Sequence, residues 1–557
     1  MKKIKNFRVQ VSLFHLMLLS AILFAVSSPA WAIFFDGRGH YSLRGQTQTN
    51  PELVNGSGTH QAIEQSFLLE GEARLNDRSS FFLELGLTGQ NRGQYLGDTA
   101  QPYECTERRI PGSTTETETE CAGRTQDQSI PGYKPYDPQI RAAYARYAFD
   151  YCILEVGRRP RHWGLGVLVD RGDKPFNAAG SYYDGATCEV NLQQSQAIGF
   201  SIGYDKLQES GEAYDNPFDR AESDTAEETR FLNSRKYGGA ASKGDDMDQF
   251  FFTLELDDRK EKSANSMSKI VGIYFANLIS ATAEDHSSSD VKYLDLYTGL
   301  FFSSFAWKNE IVFRMGKSNA PLWVEYGGRK FAEDQIVKND LNAIGIAGNL
   351  DWTLSSSGSI DGPAEFRQGS HERHALQFDY AIAPGDKDSY AREFVGSELN
   401  VDELKEDSKV GALPFHPNYK PALIFFNGHK ASDELNDSPG AFNNHRFVNA
   451  SLLALSYRYE SFRYGVFSAK FIKASLLEGM TNDVRAAYDA NPSYEKPIGY
   501  KGKNIGFELD LEYTYFFGRE VELGGALALA VPGNAWDRGE GSTTNSFLIQ
   551  SHVAFHF

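Results

Sequence analysis

Arg158, Arg159, Arg161 and His162 fall within five positions, in the run Glu155-Val-Gly-Arg-Arg-Pro-Arg-His-Trp-Gly164, too dense a set for any apolar surface to hold. Near the other end, Glu508, Asp510 and Glu512 alternate with Phe507, Leu509 and Leu511, so the carboxylates share one face of an extended segment. Both patterns display charge; neither assembles a reaction centre. His371-Glu-Arg-His374 has the wrong spacing for a two-histidine zinc helix, and no H-E-x-x-H, G-x-S-x-G or P-loop run occurs. The stretch from Gln208 to Asp246 carries Asp215, Asp219, Glu222, Asp224, Glu227 and Glu228. Clustered carboxylates suit calcium or magnesium, but the EF-hand spacing is missing and a solvated loop is the simpler reading. No catalytic residue, metal or cofactor is expected.

The four cysteines suggest staples. Cys105 and Cys121 bracket the Thr/Glu run from Thr114 to Glu120, which cannot pack a core. A bridge there would remove loop entropy worth about 3 kcal/mol. Cys152 and Cys188 stand on neighbouring expected strands, and their pairing is the weaker expectation of the two. With no C-x-x-C and no histidine at ligand spacing, zinc is not expected.

What must position the charges is a two-residue period repeated along the chain. Gly37 to Gln46 turns Tyr41 and Leu43 one way and Arg38, His40, Ser42 and Arg44 the other. Glu64 to Leu75 sets Glu70, Glu72 and Arg74 opposite Phe67, Leu69, Ala73 and Leu75, and after a four-residue turn Glu84 stands opposite Phe81, Leu83 and Leu85. Parity assigns Arg146, Arg159, Arg161, Asp295, Arg314, Glu508, Asp510, Glu512 and Glu522 to the same polar face. Tight turns alternate with long polar loops near 91–138, 164–183, 208–246, 318–342, 383–446 and 476–501, with a short helix expected around Asp402 to Asp407. Short connections at one end and long ones at the other are the pattern of a transmembrane antiparallel β-barrel, of about 18 strands with 16 or 20 as neighbours.

Composition agrees. Lys2, Lys3, Lys5 and Arg8, an apolar core from Val11 to Val26, and Ala30-Trp31-Ala32 predict a cleaved signal peptide over 1–32, with one barrel domain over 33–557. No later window has 18 uncharged apolar residues, and the mean hydropathy is -0.44, as expected where every second strand residue faces water. A formal charge of -18 argues against nucleic acid. The 39 Phe and 28 Tyr suit aromatic girdles at two membrane interfaces.

The alternating ending, with Phe547, Ile549, Val553, Phe555 and terminal Phe557 on one face, resembles the C-terminal signal of Gram-negative outer-membrane β-barrel proteins. That resemblance implies recognition of Phe555 and Phe557 by the barrel-assembly machinery, and a setting among outer-membrane lipid and lipopolysaccharide. The stretches GRRPRHWGLGVLVDRGD and FHPNYKPALIFF are similar to segments of an uncharacterised group of large porin-like outer-membrane proteins, over about a tenth of the chain. A homotrimer is the assembly such barrels suggest. A barrel this wide leaves an aqueous lumen, lined here by basic side chains on early strands and carboxylates on late ones. The function expected is a porin-like channel for small hydrophilic solutes. A selective transporter or polysaccharide exporter, of the size of alginate-export barrels, is second, and a barrel enzyme or adhesin third. A cylinder choked by packed apolar groups would count against all permeation.

Overall fold

The structure is a computed structural model, describing residues 34–51, 53, 59–86, 94–95, 104–109, 117–122, 139–172, 180–190, 198–207, 247–260, 267–280, 289–318, 339–357, 372–386, 409–416, 418–427, 447–480, 482, 485–486, 489, 496–538 and 543–557. The expected signal peptide, the acidic stretch from Gln208 to Asp246 and the helix near 402–407 lie outside the described residues.

Eighteen long strands form one closed antiparallel sheet. They are β1 Phe34–Thr49, β2 Thr59–Asn76, β3 Ser79–Gly86, β4 Gln139–Ala148, β5 Cys152–Pro160, β6 Tyr182–Val190, β7 Ile198–Leu207, β8 Met247–Asp257 and β9 Ser268–Ser280. The second half comprises β10 Ser289–Phe301, β11 Phe305–Ser318, β12 Asn339–Ser357, β13 Glu372–Ala383, β14 Ala450–Ser461, β15 Gly465–Leu476, β16 Asn504–Phe517, β17 Val521–Pro532 and β18 Ser546–His556. Each pairs with its chain neighbours, and β1 closes on β18 from Thr49 opposite Phe547 to His40 opposite His556. Gly39 and Phe557 exchange backbone hydrogen bonds of 2.7 and 3.0 Å beyond the last rung, where a Cβ on Gly39 would meet the Phe557 ring at 2.6 Å. Closure leaves no edge, the condition a sheet must satisfy in lipid.

The period-two pattern sets the two faces. Outward side chains such as Ile344, Trp352, Leu453, Leu455, Phe471 and Leu509 are exposed, as a lipid-facing surface requires. Exposed aromatics collect beside the short turns: Tyr147, Phe149 and Tyr151 at one, Phe302 at another, Phe462 and Tyr464 at a third, Phe517 at a fourth. They form the interfacial girdle of that end.

The inner face departs from a simple wet wall. Towards the long-loop end its residues are small and buried: Ala343, Gly345 and Ala347 on β12, Ala381 and Ala383 on β13, Ala450 and Ala454 on β14, Ala528 and Ala530 on β17. Phe415, Ile424, Phe425, Phe426 and Phe447 pack against them inside the cylinder. Parts of the expected long loops 164–183 and 383–446 belong to this packing. Residues 161–172, 411–416 and 418–427 turn into the barrel, and β6 begins at Tyr182. The reason is composition, since Val167-Leu-Val169 and Leu423-Ile-Phe-Phe426 are apolar and gain by leaving water, each fully buried Phe or Ile by about 1.5–3 kcal/mol.

Candidate functional site

The first inserted segment leaves the end of β5. Trp163 lies across Gly272 of β9, where a Cβ would come within 2.8 Å of two ring atoms, with its ring centroid 5.8 Å from that of Tyr274. Gly164 (φ +57) and Gly166 (φ +79) then adopt left-handed backbone, which glycine reaches without strain. The turn, closed by Gly166 N–H donating to Trp163 O at 2.9 Å, points three neighbouring amides at one carboxylate, Glu310 of β11. Leu165 N–H donates to Glu310 Oε2, and the amides of Val167 and Leu168 face the same group. A concave run of amides of this kind is an anion-binding nest, here filled by the wall's own side chain.

The second segment is caught the same way. Ile424 and Phe425 donate their amides to Glu508 of β16 at 2.6 and 2.8 Å, and Leu423 donates to Asp510 at 3.3 Å. Phe426 sits at φ +64, a conformation that costs a non-glycine residue about 1–3 kcal/mol unless its surroundings hold it. Fully buried, it packs on Phe447 at 4.7 Å between ring centroids. Phe425 stacks on Trp536, whose indole N–H donates to Ile505 O at 2.9 Å. Further along, the Arg314 guanidinium donates to Ala412 O, and Phe415 occupies the space above Gly345, which has no Cβ to exclude it. Burial pushes the Tyr419 phenol above its ordinary pKa, so it stays neutral.

The two segments also grip each other. His416 N–H donates to Val167 O at 2.7 Å, and the Asn418 amide donates to Asp170 Oδ1 at 3.0 Å. His416 Nε2 lies 3.2 Å from Ser181 Oγ, which invites comparison with a serine nucleophile and its base. However, His416 Nδ1 accepts the Asn418 N–H at 3.2 Å, so in the neutral ring Nε2 carries the proton and donates. It cannot take a proton from Ser181, and the pair is a tie between segments.

On the wall from β1 to β7 the guanidinium groups expected from parity are in place, but each has a carboxylate mate. Arg38 pairs with Glu70 and Arg44 with Glu64; Arg74 meets Glu72 at 2.8 Å and Arg146 lies 3.9 Å from Glu155. Arg159 and Arg161 share Asp205 at 2.5 and 2.6 Å. Arg171, from the inserted segment, reaches Glu70 at 3.0 Å and Glu84 at 3.6 Å. Arg141 and the Tyr182 hydroxyl complete the surroundings of Glu84, at 3.3 and 2.7 Å. A polar cavity of about 300 Å³ opens among Asp36, Arg38, Glu70, Glu72, Tyr144 and Arg171. The early wall is thus a mixed lattice, and the transverse field across the lumen is smaller than the segregation of charges along the sequence suggests.

The remaining residues divide by depth. Arg314, Glu508 and Asp510 are buried behind the inserted segments and do not face open water, because loop backbone covers them, and Asp295 is buried beside Glu310 and the Trp163 side chain. Glu512 continues the Glu508 face and is exposed, while Glu522 meets His552 at 2.9 Å and His556 at 3.8 Å. Cys152 and Cys188 form a disulfide between β5 and β6. The segments Glu104–Arg109 and Thr117–Ala122 pair as a hairpin with Cys105 opposite Cys121. Phe555 and Phe557 end the closing strand, exposed. Sequence reasoning missed Glu64, Arg141, Arg171 and Asp205, whose roles depend on partners brought together by strand pairing or loop insertion.

These features define a class: a transmembrane β-barrel whose bore is narrowed from within by two loop segments fixed to its wall and to each other. No family model and no curated protein matches the chain. Among solved structures, OccK5 (OpdH) of Pseudomonas aeruginosa aligns over 94% of this chain and 98% of its own, at 11% identity and a TM-score of 0.41. OccAB4 of Acinetobacter baumannii gives the same figures. The outer membrane protein OprD of P. aeruginosa covers 96% of each chain at 10% identity, with a TM-score of 0.40. Likeness at this level adds nothing to the assignment of the barrel, which stands on its own strand pairing.

Proposed function

We propose that this protein is a porin-like channel of the Gram-negative outer membrane that passes small hydrophilic solutes by diffusion. The observation that carries the reading is the pairing of an apolar, lipid-facing outer surface with a charged inner cavity of about 300 Å³. Apolar packing fills the side of the lumen bounded by β12 to β17, and the polar cavity lies on the side of β1 to β4. The bore is partly occupied, and passage belongs to its polar side. On this reading the chain is exported with its leader 1–32 and assembled through its terminal Phe.

Two inserted segments favour selection among small solutes over unrestricted diffusion, and they disfavour export of a polysaccharide, which needs a continuous wide bore. Purified protein in planar bilayers is expected to give ohmic unitary steps with weak cation preference, following the net charge of -18. Folded protein that produces no steps and does not swell liposomes in small sugars or amino acids would refute the channel reading.

A further inference from the structure

The two inserted segments share neither sequence nor origin, yet both are held by one device. In each, closely spaced backbone amides converge on a single glutamate of the barrel wall: Leu165, Val167 and Leu168 on Glu310, and Ile424 and Phe425 on Glu508. Both glutamates are fully buried. An aspartate lies beside each, Asp295 near Glu310 and Asp510 near Glu508, so each mooring sits in a patch of wall carboxylate with no guanidinium hydrogen-bonded to it among the described residues. This differs from the β1–β7 wall, where carboxylates meet arginine. A carboxylate facing amides organises backbone directly, whereas one facing arginine acts through a side chain, as Glu70 and Glu84 do on Arg171 of the first segment.

We propose that Glu310 and Glu508 are positioning residues of the channel: they moor the two segments and thereby set the width of the passage. The proposal rests on the channel reading above for its functional consequence, but not for its structural one. Loss of one mooring leaves several buried amides without acceptors, a state a loop escapes by moving towards water. The freed segment stays braced by the other through the contacts of Asn418 with Asp170 and of His416 with Val167, and keeps side-chain ties to the wall, Arg171 to Glu70 in the first and Lys470 to Pro421 O in the second. Loss of both leaves each segment braced only by another freed one, so the two sites are coupled and their effects do not add.

The rival explanation is that these carboxylates act only as charges in the lumen. Glutamine separates the two, since it drops the charge and keeps an oxygen that accepts an amide N–H. The test uses full-length protein in lipid, with spin labels at Phe462 in a short turn and at Lys420 or His162 in the segments, together with unitary conductance. Glu508→Ala should broaden the Lys420 distance distribution, Glu310→Ala that of His162, and each should raise conductance. The double alanine variant should exceed the two single effects combined, by several-fold. Glu310→Gln should stay close to the wild type and Glu508→Gln should fall between. Leu165→Pro and Ile424→Pro remove donors from the loop side without touching the wall, so they give the same outcome should an alanine variant fail to assemble.

Alanine and glutamine variants that behave alike, or distributions that stay narrow throughout, would overturn the proposal. A wild-type protein that conducts nothing while the distances respond as described would leave the moorings standing and remove the channel.

Discussion

Removing Asp205 is the sharpest single perturbation of the barrel wall. Its carboxylate is 0% exposed and accepts from both Arg159 and Arg161, at 2.5 and 2.6 Å. Arg159 is itself 5% exposed, and Arg161 lies over the Phe251 and Tyr183 rings at 3.5 and 4.3 Å from their centroids. Asp205→Ala therefore strands two guanidinium groups in a site with little water. Breaking a buried pair by removing one partner costs about 3–5 kcal/mol, or roughly two to three and a half decades in the folding equilibrium. Were lumen water to reach the cluster, the loss would shrink to the ~0–1 kcal/mol of an exposed pair. Urea unfolding of the barrel in vesicles, followed by heat-modifiable gel mobility, measures the difference. Replacing Arg159 and Arg161 by methionine as well should recover much of the loss, because the uncompensated charges leave with the carboxylate. A single variant within ~1 kcal/mol of the wild type would refute the burial argument.

Gly272→Val places carbon where the Trp163 ring lies and should cost about 1–3 kcal/mol, with red-shifted tryptophan emission as the ring leaves its seat. Breaking the Cys152–Cys188 bridge, which closes 36 residues, should lower stability by about 4 kcal/mol while leaving conductance unchanged in folded protein. Equilibrium unfolding with and without reductant checks it. Hydrogen bonds from Tyr500 and Lys496 hold the Asp489 carboxyl below its ordinary pKa. The order this lends the segment is present at neutral pH and is lost as pH falls below the usual carboxylate range through that lowered value. Hydrogen exchange of residues 496–500, corrected for intrinsic rates, should show it, and Asp489→Asn should abolish the pH dependence.

The barrel was legible because alternation is a local property. Phe507 to Phe517 announces its two faces whatever lies beside it, and β16 spans Asn504–Phe517. Strand number followed from counting such runs against short turns. The inserted segments were not legible in the same way, since their partners are remote: 145 residues separate Leu165 from Glu310, 84 separate Ile424 from Glu508, and 248 separate Asn418 from Asp170. Two local signals were nevertheless present. Apolar runs such as Val167-Leu-Val169 and Ile424-Phe-Phe426 have no reason to face water, and inward positions at Ala343, Gly345 and Ala347 are too small to fill a lumen unaided. Together they mark a guest and its seat. The pairing of Arg159 with Asp205 was hidden for a further reason, that parity names the face of a side chain but not its neighbour two strands away.

The long reach of these fastenings bears on how the molecule is made. Neither glutamate can receive its segment until β11 and β16 have paired with their neighbours, and contacts so distant along the chain close late. A cylinder that closes first is hollow, and docking of the two segments is then a separate step. A variant with damaged fastenings should still enter the bilayer at an ordinary rate and arrive leaky, a burden for the cell's envelope that would register as sensitivity to bulky antibiotics before any defect in abundance.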